Sequence, residues 1–175
     1  MGIDTDPIVG LDIGSTEIKI MGFASNSEAL TVVSYHIEQL EPGIIAENHV
    51  IDRDRLIAAL KLAVQRSGIK TNKVCVSLPN SIVVTKVIKV GANLSDKEIG
   101  NEIDLQADKH IPYPLTEVNL DYAVIGPVVD DDTLDQVQLV ATKSENIVEI
   151  VSLLEEVGLV VAIIDIDSFA MMRAF

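Results

Sequence analysis

The sequence predicts a mixed α/β protein: a strand-rich lobe into which a second, smaller α+β unit is inserted. Three observations predict it. Short runs rich in Val, Ile and Thr alternate with amphipathic stretches at helical spacing. The order strand, strand, strand, helix, strand closes at Pro79-Asn80, and a new pattern restarts at Ser81. A last helix and strand then return to the first pattern. With 175 residues and 48% hydrophobic content, the chain is long enough for one domain or two small ones with real cores.

Residues 8–13, 17–24 and 30–39 read as consecutive antiparallel strands separated by Gly14-Ser15-Thr16 and Ser25-Asn26-Ser27. After the loop holding Pro42 and Gly43, residues 53–67 place Leu56, Ile57, Leu60, Ala63 and Val64 on one helical face. Asp52 is the expected N-cap and Gly68 the stop. Residues 73–78 follow as a buried strand, in which Cys75 would pack as a small hydrophobe between Val74 and Val76. The restarted pattern runs strand 82–90, helix 95–110, strand 118–125 and strand 134–142. Ser95 and Glu98 make a capping box, Ile99, Ile103 and Ala107 share a face, and Pro112 and Pro114 forbid continuation. Asp130-Asp131-Asp132 falls where a hairpin should turn; a calcium loop needs further ligands and a glycine at set spacing, so a solvated turn is expected. A helix over 144–157, stopped by Gly158, and a strand over 159–165 extend the first sheet through a right-handed crossover, and a further helix begins at Ser168. The expected units are residues 1–80 with 143–175, and 81–142.

Composition excludes several functions. The 27 acidic against 13 basic residues give a net charge of -14, which repels phosphate backbones and anionic headgroups. Without Trp and with 3% aromatics, there is no stacking platform for bases. One cysteine makes no internal disulfide and suits a reducing, cytosolic compartment. Residues 1–6 lack the charged start and apolar stretch of a signal peptide, and the apolar run 157–166 is about half the ~20 residues a membrane span needs. His36, His49 and His110 lie in unrelated elements without ligand spacing to Cys75, and no G-x-S-x-G elbow is present, so hydrolytic and metal-centred chemistry lacks its parts.

The chemically informative stretch is Asp12-Ile13-Gly14-Ser15-Thr16 with Lys19: a strand ending in an acid, a glycine-centred turn, and a second strand carrying a lysine. Gly14 would let backbone N–H groups approach phosphate oxygens, with the Ser15 and Thr16 hydroxyls as added donors. Asp12 suits a magnesium ion held through water. Lys19, on the strand face of Glu17, reaches either a phosphate or a carboxylate. An ordinary hairpin uses these same residue types. Neither G-x-x-x-x-G-K-[ST] nor G-x-G-x-x-G occurs, so any route to a nucleotide runs through this hairpin.

The hairpin resembles the first phosphate motif of the actin, heat-shock chaperone and sugar-kinase superfamily. The likeness continues through Pro42-Gly43, Val84-Thr85-Lys86-Val87-Ile88, His110-Ile111-Pro112-Tyr113-Pro114-Leu115, Val118-Asn119-Leu120-Asp121-Tyr122 and Asp165-Ile166-Asp167-Ser168-Phe169-Ala170. In order and spacing these resemble the PilM family of type IV pilus assembly proteins. The resemblance implies an actin-like, ribonuclease H-like lobe (subdomain 1A) with an inserted SHS2-type subdomain 1C, the latter shared with the division protein FtsA. It implies ATP with Mg2+ as the ligand, with Asp12, Gly14, Ser15, Thr16 and Lys19 on the cofactor and Asp12 on the metal. Members of this family are longer, with a second lobe carrying a second phosphate motif and the adenosine pocket. This chain therefore reads as an N-terminal half that binds ATP weakly. The resemblance further implies a cytoplasmic scaffold, recruited to the inner membrane by the cytoplasmic N-terminal tail of PilN, which lies in a groove between 1A and 1C. The alternatives are an FtsA-like division protein, and a phosphotransferase or ATPase of the same superfamily. The latter would need a base or a water-positioning group that no motif here supplies.

Overall fold

The structure, a computed structural model, describes residues 8–25 and 30–174. The expected Ser25-Asn26-Ser27 turn and the N-terminal residues 1–6 fall largely outside the described residues. The chain divides into two compact units, one ending at Pro79 and resuming at Glu149, the other spanning residues 80–148.

The first unit is built on a five-stranded sheet. Its strands are β1 (Val9–Ile13), β2 (Glu17–Ser25) and β3 (Leu30–Gln39), then, beyond the short pair β4 (Ile45–Ala46) and β5 (His49–Val50) and the helix α1 (Arg53–Ser67), β6 (Lys73–Leu78). The fifth strand comes later in the chain, and the sheet order places it beside β6, then β1, β2 and β3. β1 pairs antiparallel with β2 and parallel with β6. It is the middle strand, so its period-2 alternation sorts the whole sheet into two faces. Val9 and Leu11 are buried with Ile18, Ile20, Val74 and Val76 against Leu56, Leu60 and Ala63 of α1. Fully burying a leucine such as Leu56 or Leu60 contributes about 1.5–3 kcal/mol. The Asp52 carboxylate accepts a hydrogen bond from the Arg55 N–H at 3.1 Å, and Gly68 ends α1 at φ 67°.

The second unit carries β7 (Val83–Gly91), α2 (Asp96–Gln106), β8 (Val118–Val128) and β9 (Asp131–Lys143), with the strands ordered β7, β9, β8. Ile88, Val90, Val137, Leu139 and Ala141 form its own core with Ile99, Ile103, Ala107 and Ile111. The Glu98 carboxylate accepts from the Ser95 N–H at 2.8 Å and from the Ser95 hydroxyl at 2.6 Å. The helix α3 (Ser144–Glu156) then leads to the fifth sheet strand, β10 (Val160–Ile166), and to α4 (Asp167–Ala174). Leu153 and Leu154 of α3 join the first core, and Arg53 of α1 donates to Ser152 and Glu156 of α3.

Three local expectations are corrected, and one strand pair is added. Cys75 is not a core residue: Val74 and Val76 point into the core, so alternation turns Cys75 to the opposite face, where it is partly exposed. α2 ends at Gln106, and residues 107–109 tighten into a 3-10 turn before the prolines. The β8–β9 turn lies at Val129 and Asp130, with Asp130 at φ 66°, while Asp131 and Asp132 begin β9. The pair β4–β5 was not foreseen; it turns through Glu47 and Asn48 at φ 51° and 63°, a conformation usually signalled by glycine.

Both hydrogen bonds from Ser95 hold the Glu98 carboxyl below the usual glutamate range, the hydroxyl contributing most. A carboxylate whose folded value is depressed stabilises above its unfolded value, about 4.3, and the gain is lost as pH falls through the folded value. Glu98→Gln is therefore expected to melt below the parent at pH 7, with the difference closing in acid below that range, as read by circular dichroism.

Candidate functional site

The site is built where β1 turns into β2. Asp12 lies directly across from Lys19 in the antiparallel register, on the face away from α1. The turn is pinned twice: the Gly14 N–H donates to the Glu17 carbonyl at 3.0 Å, and the Leu40 N–H donates to the Thr16 carbonyl at 2.7 Å. A β-carbon on Gly14 would lie 3.2 Å from the Glu17 carbonyl oxygen. A side chain there would press on the backbone that closes the turn, so glycine suits this close approach. Because the Gly14 amide is committed to this closure, the donors left at the tip belong to Ser15 and Thr16. Both are exposed, and neither side chain makes a hydrogen bond among the described residues.

Lys19 settles between two carboxylates. Its Nζ stands 3.1 Å from Asp12 Oδ2 and 3.1 Å from Glu17 Oε1. Glu17 is held in turn by the Gln39 side-chain amide at 3.1 Å, from the residue opposite it on β3. The lysine is pushed up by both carboxylates, Glu17 first, and Glu17 is held down chiefly by Lys19. Side-chain exposures of 42% for Lys19 and 47% for Asp12 keep these pairs in contact with solvent. Ion pairs this open to solvent are weak, so they exchange readily for better partners.

Behind the hairpin, the same sheet face opens into a groove of about 360 Å³ lined by Gly10, Asp12, Lys19, Met21, Tyr35, Cys75, Ser77, Asp165 and Ala170. Burial pushes the Cys75 thiol up, with the Asp165 charge adding to it. Asp165 is bonded to Arg173 of α4. His36 is structural: its Nε2 pairs with Glu38 at 3.0 Å, and Glu38 also takes Arg66 at 2.8 Å. Among the described residues, no group of three or more His, Cys, Asp or Glu side chains gathers to hold a metal, and no helix is long and apolar enough to cross a membrane.

A single carboxylate beside tip hydroxyls suits a hydrated, oxygen-seeking divalent ion better than a protein-only cage. In this structure the Asp12 carboxylate is engaged by the Lys19 ammonium. One carboxylate, an ammonium and two exposed hydroxyls are the kinds of group that a hydrated magnesium ion and a phosphate take.

The family model for type IV pilus assembly protein PilM matches residues 10–175. The chain belongs to the PilM family. Among solved structures, it is similar to the "PilM-PilN type IV pilus biogenesis complex", with 23% identity and a TM-score of 0.84, covering 97% of this chain and 50% of that one. It is also similar to the cytoplasmic domain of EpsL, an inner-membrane component of the type II secretion system of Vibrio cholerae, with 12% identity and a TM-score of 0.63, covering 94% and 59%. The chain thus spans about half the length of the PilM structure it matches. At these identities the likeness shows the fold alone, which is that of the matched part of the PilM structure. Membership in the PilM family sets aside the division-protein reading.

Glu17 and Gln39 were not assigned roles from the sequence. Glu17 and Lys19 share a face by strand periodicity, a signal already present in the residues. The Gln39 contact depends on the β2–β3 register, which includes an irregularity between Gly22 and Phe23 that no motif announces. Gly14→Val is expected to destabilise the first unit by about 1 kcal/mol, since the clash is with hydrogen-bonded backbone. Urea unfolding measures it, and an unchanged midpoint would contradict the close packing.

Proposed function

We propose that this chain acts in type IV pilus assembly as an actin-like scaffold: it docks the cytoplasmic N-terminal tail of a PilN-type inner-membrane protein and carries one side of an ATP cleft. The observation that carries this reading is the PilM family match over residues 10–175. The fold likeness to a PilM–PilN complex supports the partner. In this reading, residues 1–80 with 143–175 are subdomain 1A, and residues 81–142 are subdomain 1C. A net charge of -14 opposes direct adsorption to anionic lipid, so placement at the cytoplasmic face of the inner membrane runs through a protein partner.

When bound, ATP with Mg2+ would bring an anionic phosphate chain and its counter-cation to the hairpin. Asp12 would hold the ion through water, and the Ser15 and Thr16 tip with Lys19 would face phosphate. No base beside an acceptor is assembled among the described residues of the hairpin, so the role of the nucleotide here is binding.

Calorimetric titration of the chain with a synthetic PilN-tail peptide from the same organism is expected to give saturable binding at about micromolar Kd, −8 kcal/mol, with none for a scrambled peptide. No heat from either peptide, in a chain that shows a cooperative melt, would overturn the scaffold reading.

A further inference from the structure

Asp12 of β1 pairs with Lys19 of β2, and two residues away on the same face of β2 Glu17 pairs with Gln39 of β3. Lys19 Nζ is shared between Asp12 and Glu17 at 3.1 Å each, and the Gln39 amide steadies Glu17 from the far side. We propose that Lys19 is a tethered counter-ion: it bars Asp12 to a bare divalent cation and yields it only when phosphate arrives with the metal. Glu17 is the seat that positions the lysine. This inference rests on the reading of the hairpin as a phosphate-binding element.

The argument is one of charge and reach. A bare cation approaching Asp12 meets an ammonium that is covalently tied opposite it on β2. The lysine's other carboxylate lies two residues away on its own strand, so the ammonium gives up Asp12 without leaving the neighbourhood. The entering cation therefore keeps a positive charge within a few ångströms, at partial screening. Phosphate reverses the balance. Its oxygens give the ammonium a stronger partner, while the carboxylate turns to the metal. Cation and phosphate affinities at this hairpin are then coupled, and the coupling is reciprocal. Half-exposure of both Lys19 and Asp12 lets the exchange occur without opening the core.

The test uses the chain itself, with Mn2+ as the metal probe and free Mn2+ read by electron paramagnetic resonance. Parent, Lys19→Met, Glu17→Gln and the double variant Lys19→Met/Asp12→Asn are titrated with Mn2+ alone and with Mn·ATP. Lys19→Met is expected to bind Mn2+ alone about tenfold more tightly than the parent, by removal of a neighbouring like charge, and the double variant to lose that gain. Glu17→Gln leaves Asp12 as the lysine's only carboxylate and is expected to weaken Mn2+ binding further. If Lys19→Met gains nothing for Mn2+ alone while the parent still takes Mn·ATP, the counter-ion role is overturned and the phosphate hairpin stands. A gain that persists without Asp12 places the metal elsewhere and overturns the proposal as well. If neither the parent nor any variant takes Mn·ATP, the phosphate reading falls and the inference with it.

Discussion

The register of β1 against β2 is the constraint on which everything at the site depends. β1 lies between an antiparallel neighbour and a parallel one, so both its edges are hydrogen-bonded to partners and its register is fixed from two sides. With Leu11 facing Ile20 and Asp12 facing Lys19, the apolar residues fall under α1 and the charged pair falls on the open face. A slip of one residue would put Asp12 into a core containing Leu56, Leu60 and Leu154, where an ionised carboxylate has no partner. The Gly14 amide bond to Glu17 and the Leu40 amide bond to Thr16 close the turn at that register. Local hydrogen bonding and core burial thus select the same pairing.

The electrostatics follow from this geometry. A chain with a large acidic excess places one lysine where two carboxylates converge, and the three groups carry a net charge of one negative unit. The cluster is stable in water without being strong, because its members are half in solvent. A weak, well-positioned cluster suits a site that must exchange its internal cation for an external one. Elsewhere the acidic surface is engaged in ordinary structural work, as where Glu38 joins His36 and Arg66, or Glu98 joins Ser95.

Much of the fold was legible because periodicity and punctuation agreed. Asp52 and Gly68 mark the ends of α1, Ser95 and Glu98 mark the start of α2, and Gly158 stands after α3. Asp12 and Lys19 were legible as candidates from the Asp-x-Gly turn alone. Their mutual contact was not, since it depends on a cross-strand pairing that the turn length leaves open. Cys75 was misplaced because the run Val74-Cys75-Val76 looks uniformly apolar, although a strand with a solvent-facing side still alternates. The β4–β5 turn was missed because Glu47 and Asn48 take positive φ without the glycine that usually signals it. Gln39 became a site residue only once the third strand was in place.

In the proposed reading, the β1–β2 turn of this PilM-family chain is a phosphate-binding hairpin. The most direct measurement is a titration of the isotopically labelled chain with Mg·ATP, following backbone amides by heteronuclear NMR. Saturable shifts concentrated between Asp12 and Lys19, largest at Ser15 and Thr16, are expected. Shifts centred instead on the opposite end of the sheet, at the cavity lined by Ile69, Lys70, Thr71 and Asn72, or an unperturbed spectrum at millimolar nucleotide, would contradict it.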